Sequence, residues 1–280
     1  MNEIFIHKVI DTPTPIRIRS YLKTKLGFST SLIAKVKYDN VYLNDRIVHM
    51  RAEVTNGDVI KILFPIEDSE NITPMDLPLT ILYEDDYIIA LDKPINMPVH
   101  PCRGNSLPTL ANALRSYFDR PFVFRAINRL DRDTSGIVLI AKNQLTAARL
   151  SESMKKGQFK KIYEARVIGC PEPSNGKICA PIRREAEGSI KRIVASNGKY
   201  SETIYEVKET NPDGTSICVV EPITGRTHQI RVHMAYIGHP LYADYIYGKR
   251  VENQTFSLRC ISLSFPHPFE DKTIIIESKK

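Results

Sequence analysis

Residues 127–142 read INRLDRDTSGIVLIAK, a polar and charged turn closed by Gly136 and followed by an apolar run rich in β-branched residues. This pattern predicts a buried strand that is preceded by a loop. Asp131 lies in that loop between Arg129 and Arg132, and a loop held by a rigid sheet can present a side chain to a ligand. Asp131 is therefore a candidate reactive carboxylate, although an aspartate in a turn is more often a solvated residue.

The composition indicates a soluble globular protein. Of its 280 residues, 42% are hydrophobic and 25% are charged, which allows one large core and a small additional domain. No apolar run approaches the roughly 20 residues that a membrane helix needs. Residues 1–4 lack the basic-then-apolar order of a secretory signal, so we expect a cytoplasmic protein without a membrane partner.

Neither the cysteines nor the histidines have the spacing of a metal site. The five cysteines include no Cys-x-x-Cys pair, so we interpret them as reduced thiols: Cys102, Cys170, Cys179, Cys218 and Cys260. His228, His233 and His239 are five and six residues apart, so on a helix these steps rotate the side chains by about 140° and 240° and they share no face. The sequence also lacks a glycine-rich phosphate-binding fingerprint, and no metal or cofactor is predicted.

Positive charge is concentrated at the N-terminus. The net charge is +7, and residues 1–64 hold ten Lys or Arg against six Asp or Glu. This clustering favours an RNA-binding domain over residues 1–64, with Arg17, Lys35 and Lys37 as candidate contacts. A solvated basic face on an unrelated helical module is the alternative. Apolar spacing predicts helices over 18–26 and 32–37, the second capped by Ser29 or Ser31, and strands over 41–43 and 59–63.

An acidic segment follows the basic one. Residues 65–92 contain eight acidic residues and no Lys or Arg, and prolines flank its first part. Acidic charge would repel RNA, so we interpret residues 65–78 as a spacer between two domains. The second domain then covers residues 79–280.

The second domain alternates predicted strands and helices. Residues 170–200 are polar, and either a flexible hairpin that embraces RNA or a solvated loop would fit them. Thr227 is the predicted cap of the last helix, which Gly238 ends. The remaining predictions are two strands within 80–94, helices over 110–117, 144–156 and 227–237, a strand over 160–169, and a hairpin of 201–208 with 216–221.

Several of these segments resemble one enzyme family. RLD at 129–131 with DTSG at 133–136 resembles the catalytic motif of the RluA/RluD-type pseudouridine synthases, which isomerise uridine in RNA. Residues 80–101, 160–169 and 222–248 resemble further motifs of the same family. Asn128 stands where the family usually has histidine. Residues 1–64 resemble the S-four-like RNA-binding domain, with Asp39 or Asn40 and Asp45 in place of its usual glycines.

The resemblance implies a fold and a set of roles. The fold would be α+β, with a mixed, largely antiparallel central sheet flanked by helices, after a small S-four-like α/β domain. Asp131 would be the catalytic residue, paired with Arg231, while Tyr163 stacks on the target base. Arg129 would fill the space that the extruded uridine leaves. We also assign Arg226 and His228 of the last motif to RNA binding.

The resemblance leaves the substrate and part of the chemistry open. Asp131 would act as a nucleophile, stabilise positive character on the ribose, or move a proton. We expect a monomer acting on ribosomal RNA of the large subunit, with tRNA as the alternative. The rival functions are a non-catalytic RNA-binding or ribosome-assembly factor and a metal-dependent nucleic-acid hydrolase, which the histidine spacing disfavours.

Overall fold

The computed structural model describes residues 3–36, 38–64, 72–101, 108–118, 122–254 and 256–278. Lys37, Cys102 and residues 65–71 of the predicted linker lie outside the described residues. Within those ranges, every helix is too short or too polar to span a bilayer.

Residues 3–64 form a small α/β module around one apolar core. Its elements are β1 (Glu3–Lys8), β2 (Ile16–Arg17), α1 (Ile18–Thr24), α2 (Thr30–Lys35), β3 (Val41–Leu43), β4 (Arg46–Ile47), β5 (Glu53–Val54) and β6 (Val59–Phe64). The strands β1, β6, β3 and β4 pair in that order as an antiparallel sheet. Ser29 caps α2, since its Oγ accepts a hydrogen bond from the Leu32 N–H at 3.0 Å. Both predicted helices and strands are present, whereas the sequence predictions lack β1.

The remaining residues build a second, larger sheet of ten strands. The elements of this part, in chain order, are β7 (Ile81–Glu84), β8 (Ile88–Lys93), α3 (Leu110–Tyr117), β9 (Arg125–Ala126), β10 (Ser135–Ala141), α4 (Gln144–Lys155), β11 (Lys160–Ile168), β12 (Asn175–Cys179), β13 (Ile182–Arg184), β14 (Arg192–Val194), β15 (Glu202–Thr210), β16 (Thr215–Pro222), α5 (Gln229–Tyr236), β17 (Leu258–Pro266) and β18 (Thr273–Glu277). The strands of the large sheet pair in the order β12-β15-β16-β11-β17-β10-β8-β7. In addition, β18 pairs with β17 and β9 pairs with β10. Pairing between the described strands is antiparallel except for β10 with β17. The predicted α+β class with a largely antiparallel sheet is confirmed.

Strand β10 lies inside this sheet, paired with β8, β9 and β17, and forms the second half of the motif that opens the sequence analysis. All seven of its residues are buried. Gly136 has a φ of +105°, and a Cβ there would lie 2.2 Å from the carbonyl oxygen of Cys260 on β17. Only glycine permits both this backbone angle and this close approach of two strands. Gly136 therefore fixes the place where the loop ends and the strand begins.

Residues 170–200 contain three ordered strands rather than one open loop. Strand β12 pairs with β15 at the edge of the large sheet, and β13 pairs with β14 as a separate hairpin. Of the two alternatives for residues 170–200, a hairpin is present as β13 and β14. Strand β12 was not predicted, because it is short and its partner β15 decides its conformation.

The cap of helix α5 differs from the prediction. The helix begins at Gln229, and His228 is the N-cap residue, so the prediction of Thr227 as the cap is wrong. His228 has a φ of 58° and a ψ of 19°, which is the left-handed region. Its side chain makes no capping hydrogen bond, which leaves the imidazole available for another contact.

Helix α4 joins the two parts of the molecule. Leu145 at its start is buried in the apolar core of the N-terminal module. Arg149 donates from Nε to the Leu26 carbonyl oxygen at 3.1 Å and from a terminal nitrogen to the Pro268 carbonyl oxygen at 2.8 Å. The module is therefore packed directly against the larger domain.

Candidate active site

The loop before β10 opens into a cleft of about 610 Å³. This volume lies within the ~300–1,000 Å³ typical of sites for small ligands. The cleft is lined by six of the predicted site residues: Arg129, Asp131, Tyr163, Arg226, His228 and Arg231. Arg17 is exposed on β2 and Lys35 is exposed at the end of α2, so neither belongs to this cleft.

Asp131 projects from a tight turn, in which the Thr134 N–H donates to the Asp131 carbonyl oxygen at 3.2 Å. Its side chain is 31% exposed, which leaves it accessible to a ligand. The carboxylate oxygen Oδ2 lies 3.4 Å from an Nη1 nitrogen of Arg231 and 3.6 Å from Nε2 of His228. The neighbouring Arg132 pairs with Asp133 instead, at 2.8 Å.

Arg231 reaches Asp131 from α5, 100 residues further along the chain, and its side chain is 2% exposed. Its strongest partner is Asp244, which is fully buried. Nε of Arg231 donates to one oxygen of Asp244 at 2.7 Å, and Nη2 donates to the other at 2.8 Å. The Phe256 ring lies against the guanidinium, with 4.2 Å from Cζ to the ring centroid. This bidentate pair fixes the guanidinium so that its remaining nitrogen is directed at Asp131.

Asp244 is a residue that the sequence analysis did not single out. Its Oδ1 also accepts hydrogen bonds from the backbone N–H groups of Ile246 and Tyr247, at 3.0 and 3.2 Å. The sequence signal was weak, because an aspartate near glycine and tyrosine is usually part of an ordinary turn.

Tyr163 lies in the middle of β11 and is 8% exposed. Burial raises the pKa of its hydroxyl well above the usual range, with the Cys260 thiol beside it as a further cause. The hydroxyl therefore stays protonated at neutral pH. What Tyr163 adds to the cleft is an aromatic wall with a neutral polar group.

Lys93 is a second residue that the sequence analysis missed. It is fully buried beneath the loop, where its ammonium donates to three carbonyl oxygens, those of Pro94 and Met97 at 2.8 Å and that of Arg132 at 3.0 Å. Burial lowers its pKa to about 8, although Asp133 and Asp131 act in the opposite direction. Lys93 ties the end of β8 to the residue that follows Asp131. The sequence of β8, in which Asp92 and Lys93 follow four apolar residues, gives no sign of this role.

Asn128 fixes the other end of the loop. Its side-chain amide donates to the Ile137 carbonyl oxygen at 2.9 Å, and its side-chain oxygen accepts from the Leu139 N–H at 2.8 Å. Both bonds join the loop to β10, and the side chain is buried. Asn128 therefore holds the segment that carries Arg129 and Asp131.

The rim of the cleft is cationic. Arg129 and Arg226 are exposed there, and Nε of Arg226 donates to the Tyr200 carbonyl oxygen at 3.0 Å. Lys161 also lines the cleft, and burial lowers its pKa. Three basic side chains around one opening favour a negatively charged ligand.

The three histidines of the last motif have separate surroundings. His228 lies beside Asp131, while the buried His233 bonds to the Thr203 hydroxyl at 2.8 Å and to the Ala180 carbonyl oxygen at 2.9 Å. The Nδ1 of His239 lies 2.9 Å from the Ile168 carbonyl oxygen. Within the described ranges, no three His, Cys, Asp or Glu side chains gather as metal ligands would.

Comparison with known proteins identifies the class of enzyme to which this fold and this cleft belong. A family model described as RNA pseudouridylate synthase matches residues 87–236, which is more than half of the chain. The chain belongs to this family of isomerases, which act on RNA.

Individual relatives are similar over much of the chain. "Uncharacterized RNA pseudouridine synthase YjbO" of Bacillus subtilis (strain 168) is 35% identical over 257 residues, which is 89% of this chain and 90% of that protein. "Ribosomal large subunit pseudouridine synthase D" of Vibrio cholerae is 40% identical over 74% of this chain and 64% of that protein. Among solved structures, "Human RNA Pseudouridylate Synthase Domain Containing 1" is 28% identical with a TM-score of 0.63, covering 72% of this chain and 84% of that one.

Proposed function

We propose that Asp131 is the catalytic carboxylate of this pseudouridine synthase and that the substrate is ribosomal RNA of the large subunit. The observation that carries the catalytic assignment is the contact between the Asp131 carboxylate and the buried Arg231 guanidinium, at 3.4 Å inside the cleft. A fixed positive charge at this distance balances the negative charge of an ionised carboxylate in a partly closed site.

The reaction explains why one carboxylate can be its chemical centre. Pseudouridine formation breaks the bond between ribose C1′ and uracil N1 and joins C1′ to C5 after the base has turned. C5 loses a proton and N1 gains one, so atoms and electrons balance without an oxidant or reductant. An ionised Asp131 can attack C1′ or stabilise positive character there while the base is detached.

The other cleft residues suit an extruded nucleotide. A uridine inside a stacked helix cannot reach the carboxylate, and extruding it costs a few kcal/mol. Tyr163 would stack on the base and exclude water. Arg129 would occupy the space that the base leaves, and Arg226 at the rim would contact a phosphate.

The N-terminal module is proposed to hold the RNA. A second cleft of about 600 Å³ lies between this module and helix α4, and its lysines come from both sides: Lys23, Lys35, Lys155 and Lys156. These charges suit phosphate groups, which raise affinity without selecting a sequence. Met154 of α4 lines the Asp131 cleft next to Lys155, so RNA on these lysines would lie close to the active site. Arg17 and Lys37 remain predicted contacts of the module.

The catalytic assignment is tested with RNA that carries tritium at C5 of uridine, since the C5 hydrogen is released to solvent during the reaction. Asp131→Asn should bind this RNA as the wild type does and release no tritium. Asp86→Asn is the matched control, because Asp86 is an exposed aspartate that does not line the cleft. Normal tritium release by Asp131→Asn would refute the assignment.

The substrate proposal rests on the relatives whose names state the large ribosomal subunit. It is tested by mapping pseudouridines in total RNA from cells with and without the gene. Loss of a site in large-subunit RNA is the expected result, and loss confined to tRNA would overturn the substrate proposal alone. An unchanged map together with a ribosome-assembly defect would favour the non-catalytic rival. We also infer that the enzyme acts as a monomer in the cytoplasm, which sedimentation and cell fractionation would test.

A further inference from the structure

The Asp131 carboxylate has a second polar neighbour besides Arg231. Nε2 of His228 lies 3.6 Å from Oδ2, the same oxygen that Arg231 approaches. The His228 side chain is only 13% exposed, so water has little access to it. A distance of 3.6 Å is long for a hydrogen bond, but such bonds in ligand-free active sites often shorten when the substrate binds.

The neighbours of its two ring nitrogens indicate which nitrogen of His228 carries the proton. The backbone N–H of Arg192 donates to the Tyr247 hydroxyl oxygen at 2.9 Å, and that oxygen lies 2.8 Å from Nδ1 of His228. The Tyr247 hydroxyl can donate to Nδ1, whereas an ionised Asp131 carboxylate beside Nε2 can only accept. These surroundings favour the neutral tautomer whose hydrogen lies on Nε2, facing Asp131.

The backbone of His228 is consistent with this contact. The left-handed region is strained for a residue other than glycine, and such residues concentrate at functional sites. At an N-cap, a side chain usually accepts a hydrogen bond from the helix, but that of His228 does not. The backbone conformation instead directs the imidazole to the carboxylate.

We propose that His228 is a positioning residue for the reaction: its neutral imidazole donates from Nε2 to Oδ2 of Asp131 and so leaves Oδ1 to meet the ribose. This inference rests on the proposed role of Asp131. It differs from a role in RNA binding, because His228 acts on the carboxylate and not on the RNA. The β13–β14 hairpin supports the contact through the Arg192 N–H.

The charge state of the imidazole controls this contact. Burial lowers the pKa of His228; among its charged neighbours, Asp131 and Asp244 act against this shift and Arg231 and Arg192 add to it. A pKa below the ordinary value of 6.5 favours the neutral imidazole at pH 7. Below its pKa it becomes an imidazolium that binds Asp131 as an ion pair and makes the carboxylate less available to the ribose. The single-turnover rate should fall in that acidic range.

Three variants test the proposal in single-turnover tritium release between pH 5 and 8.5. His228→Leu removes the donor and should lower the rate by about 10- to 150-fold at pH 7.5, as for loss of a hydrogen bond to a charged group. His228→Gln keeps an N–H at a similar reach and cannot titrate, so it should recover part of that loss and show no acidic fall in rate. Tyr247→Phe should give a smaller loss, because the ring is no longer held in one tautomer.

Binding and folding measurements separate this role from its alternatives. The RNA dissociation constant of each variant should stay within about twofold of the wild type, and melting curves should show folded protein. Weaker RNA binding at an unchanged rate would assign His228 to RNA binding and overturn the proposal. An acidic fall that persists in His228→Gln would also overturn it. Asp131→Asn in the same assay tests the proposed function separately, because this variant keeps His228. Tritium release by Asp131→Asn would refute the proposed function, whatever the His228 variants show.

Discussion

Asp244→Asn tests the idea that Arg231 is held in place by a buried carboxylate. Asp244 accepts two hydrogen bonds from the Arg231 guanidinium, at 2.7 and 2.8 Å, and the side chains are 0% and 2% exposed. Asparagine has nearly the same shape but no charge, and its amide N–H₂ would oppose a guanidinium nitrogen. Phe256 lies against the guanidinium, which limits the access of water to the cation once its buried partner has lost its charge.

The expected loss of stability follows from this burial. Removing one partner of a buried ion pair costs about 3–5 kcal/mol, because the other charge stays buried without compensation. For a protein of about this size, each kcal/mol changes the melting temperature by about 2–4 °C, so the variant should melt about 6–20 °C lower. Arg231 also loses its orientation towards Asp131. Losing a charge-assisted hydrogen bond of about 1.5–3 kcal/mol corresponds to a rate about 10- to 150-fold lower.

Melting by circular dichroism and single-turnover tritium release at 25 °C measure the two effects. Asp213→Asn is the matched control, since Asp213 pairs with Arg166 at the surface and is half exposed. Its melting temperature should stay close to the wild-type value, because solvent screens such a pair. The combination of Asp244→Asn with Arg231→Met should melt higher than Asp244→Asn alone, as no cation then stays buried. If Asp244→Asn melts like the wild type, the reasoning is wrong.

Three further results are expected. Gly136→Ala should yield no folded protein in expression and melting tests, since its Cβ would lie 2.2 Å from the Cys260 carbonyl oxygen at a φ of +105°. Burial lowers the Lys93 pKa to about 8 from its ordinary 10.5, so between these pH values the unfolded chain binds more protons than the folded protein. The free energy of unfolding, relative to that of Lys93→Met, should therefore increase as the pH rises from about 8 to 10.5. Lys23→Gln with Lys155→Gln should weaken RNA binding and reduce the slope of log affinity against log salt by about 1.4–1.8, or ~0.7–0.9 for each phosphate contact.

Each of these results has its own control. Gly57→Ala is a fair comparison for Gly136, because Gly57 also has a positive φ but open space around it; a similar failure of both would remove the steric argument. For Lys93, denaturant titrations at pH 7.5, 9 and 10.5 should diverge from those of the methionine variant, and parallel curves would contradict the burial. Lys208→Gln removes an exposed lysine outside both clefts, so its salt slope should match the wild type.

Local patterns in the sequence predict much of this fold. The apolar run after Gly136 predicts β10, and helical spacing predicts α1, α3 and α4 close to their observed bounds. Strand β1 escapes such reasoning, because it is stabilised by pairing with β6, more than fifty residues later. The same holds for β12, which is short and pairs with β15.

In the candidate site, too, residues in a local motif could be predicted, whereas residues that act through long-range contacts could not. The motif resemblance predicts Asp131, Tyr163 and Arg231, and all three line one cleft. Asp244 and Lys93 act through contacts with residues distant in sequence or with backbone carbonyls, and neither contact leaves a pattern in the chain. Sequence spacing also gives no sign that His228 has a left-handed backbone. The imidazole packs against Asp131 and Tyr247, and these contacts between distant residues accompany the start of the helix one residue later than predicted.

The departure at Asn128 has a physical explanation in these contacts. Asn128 supplies one donor, to the Ile137 carbonyl oxygen, and one acceptor, to the Leu139 N–H. A neutral histidine also offers one donor and one acceptor, so the usual family residue can serve the same two backbone groups. A protonated histidine has two donors and would leave the Leu139 N–H unsatisfied in a buried place. Asparagine does not titrate in this range, so both hydrogen bonds between the Asp131 loop and β10 should persist in acid.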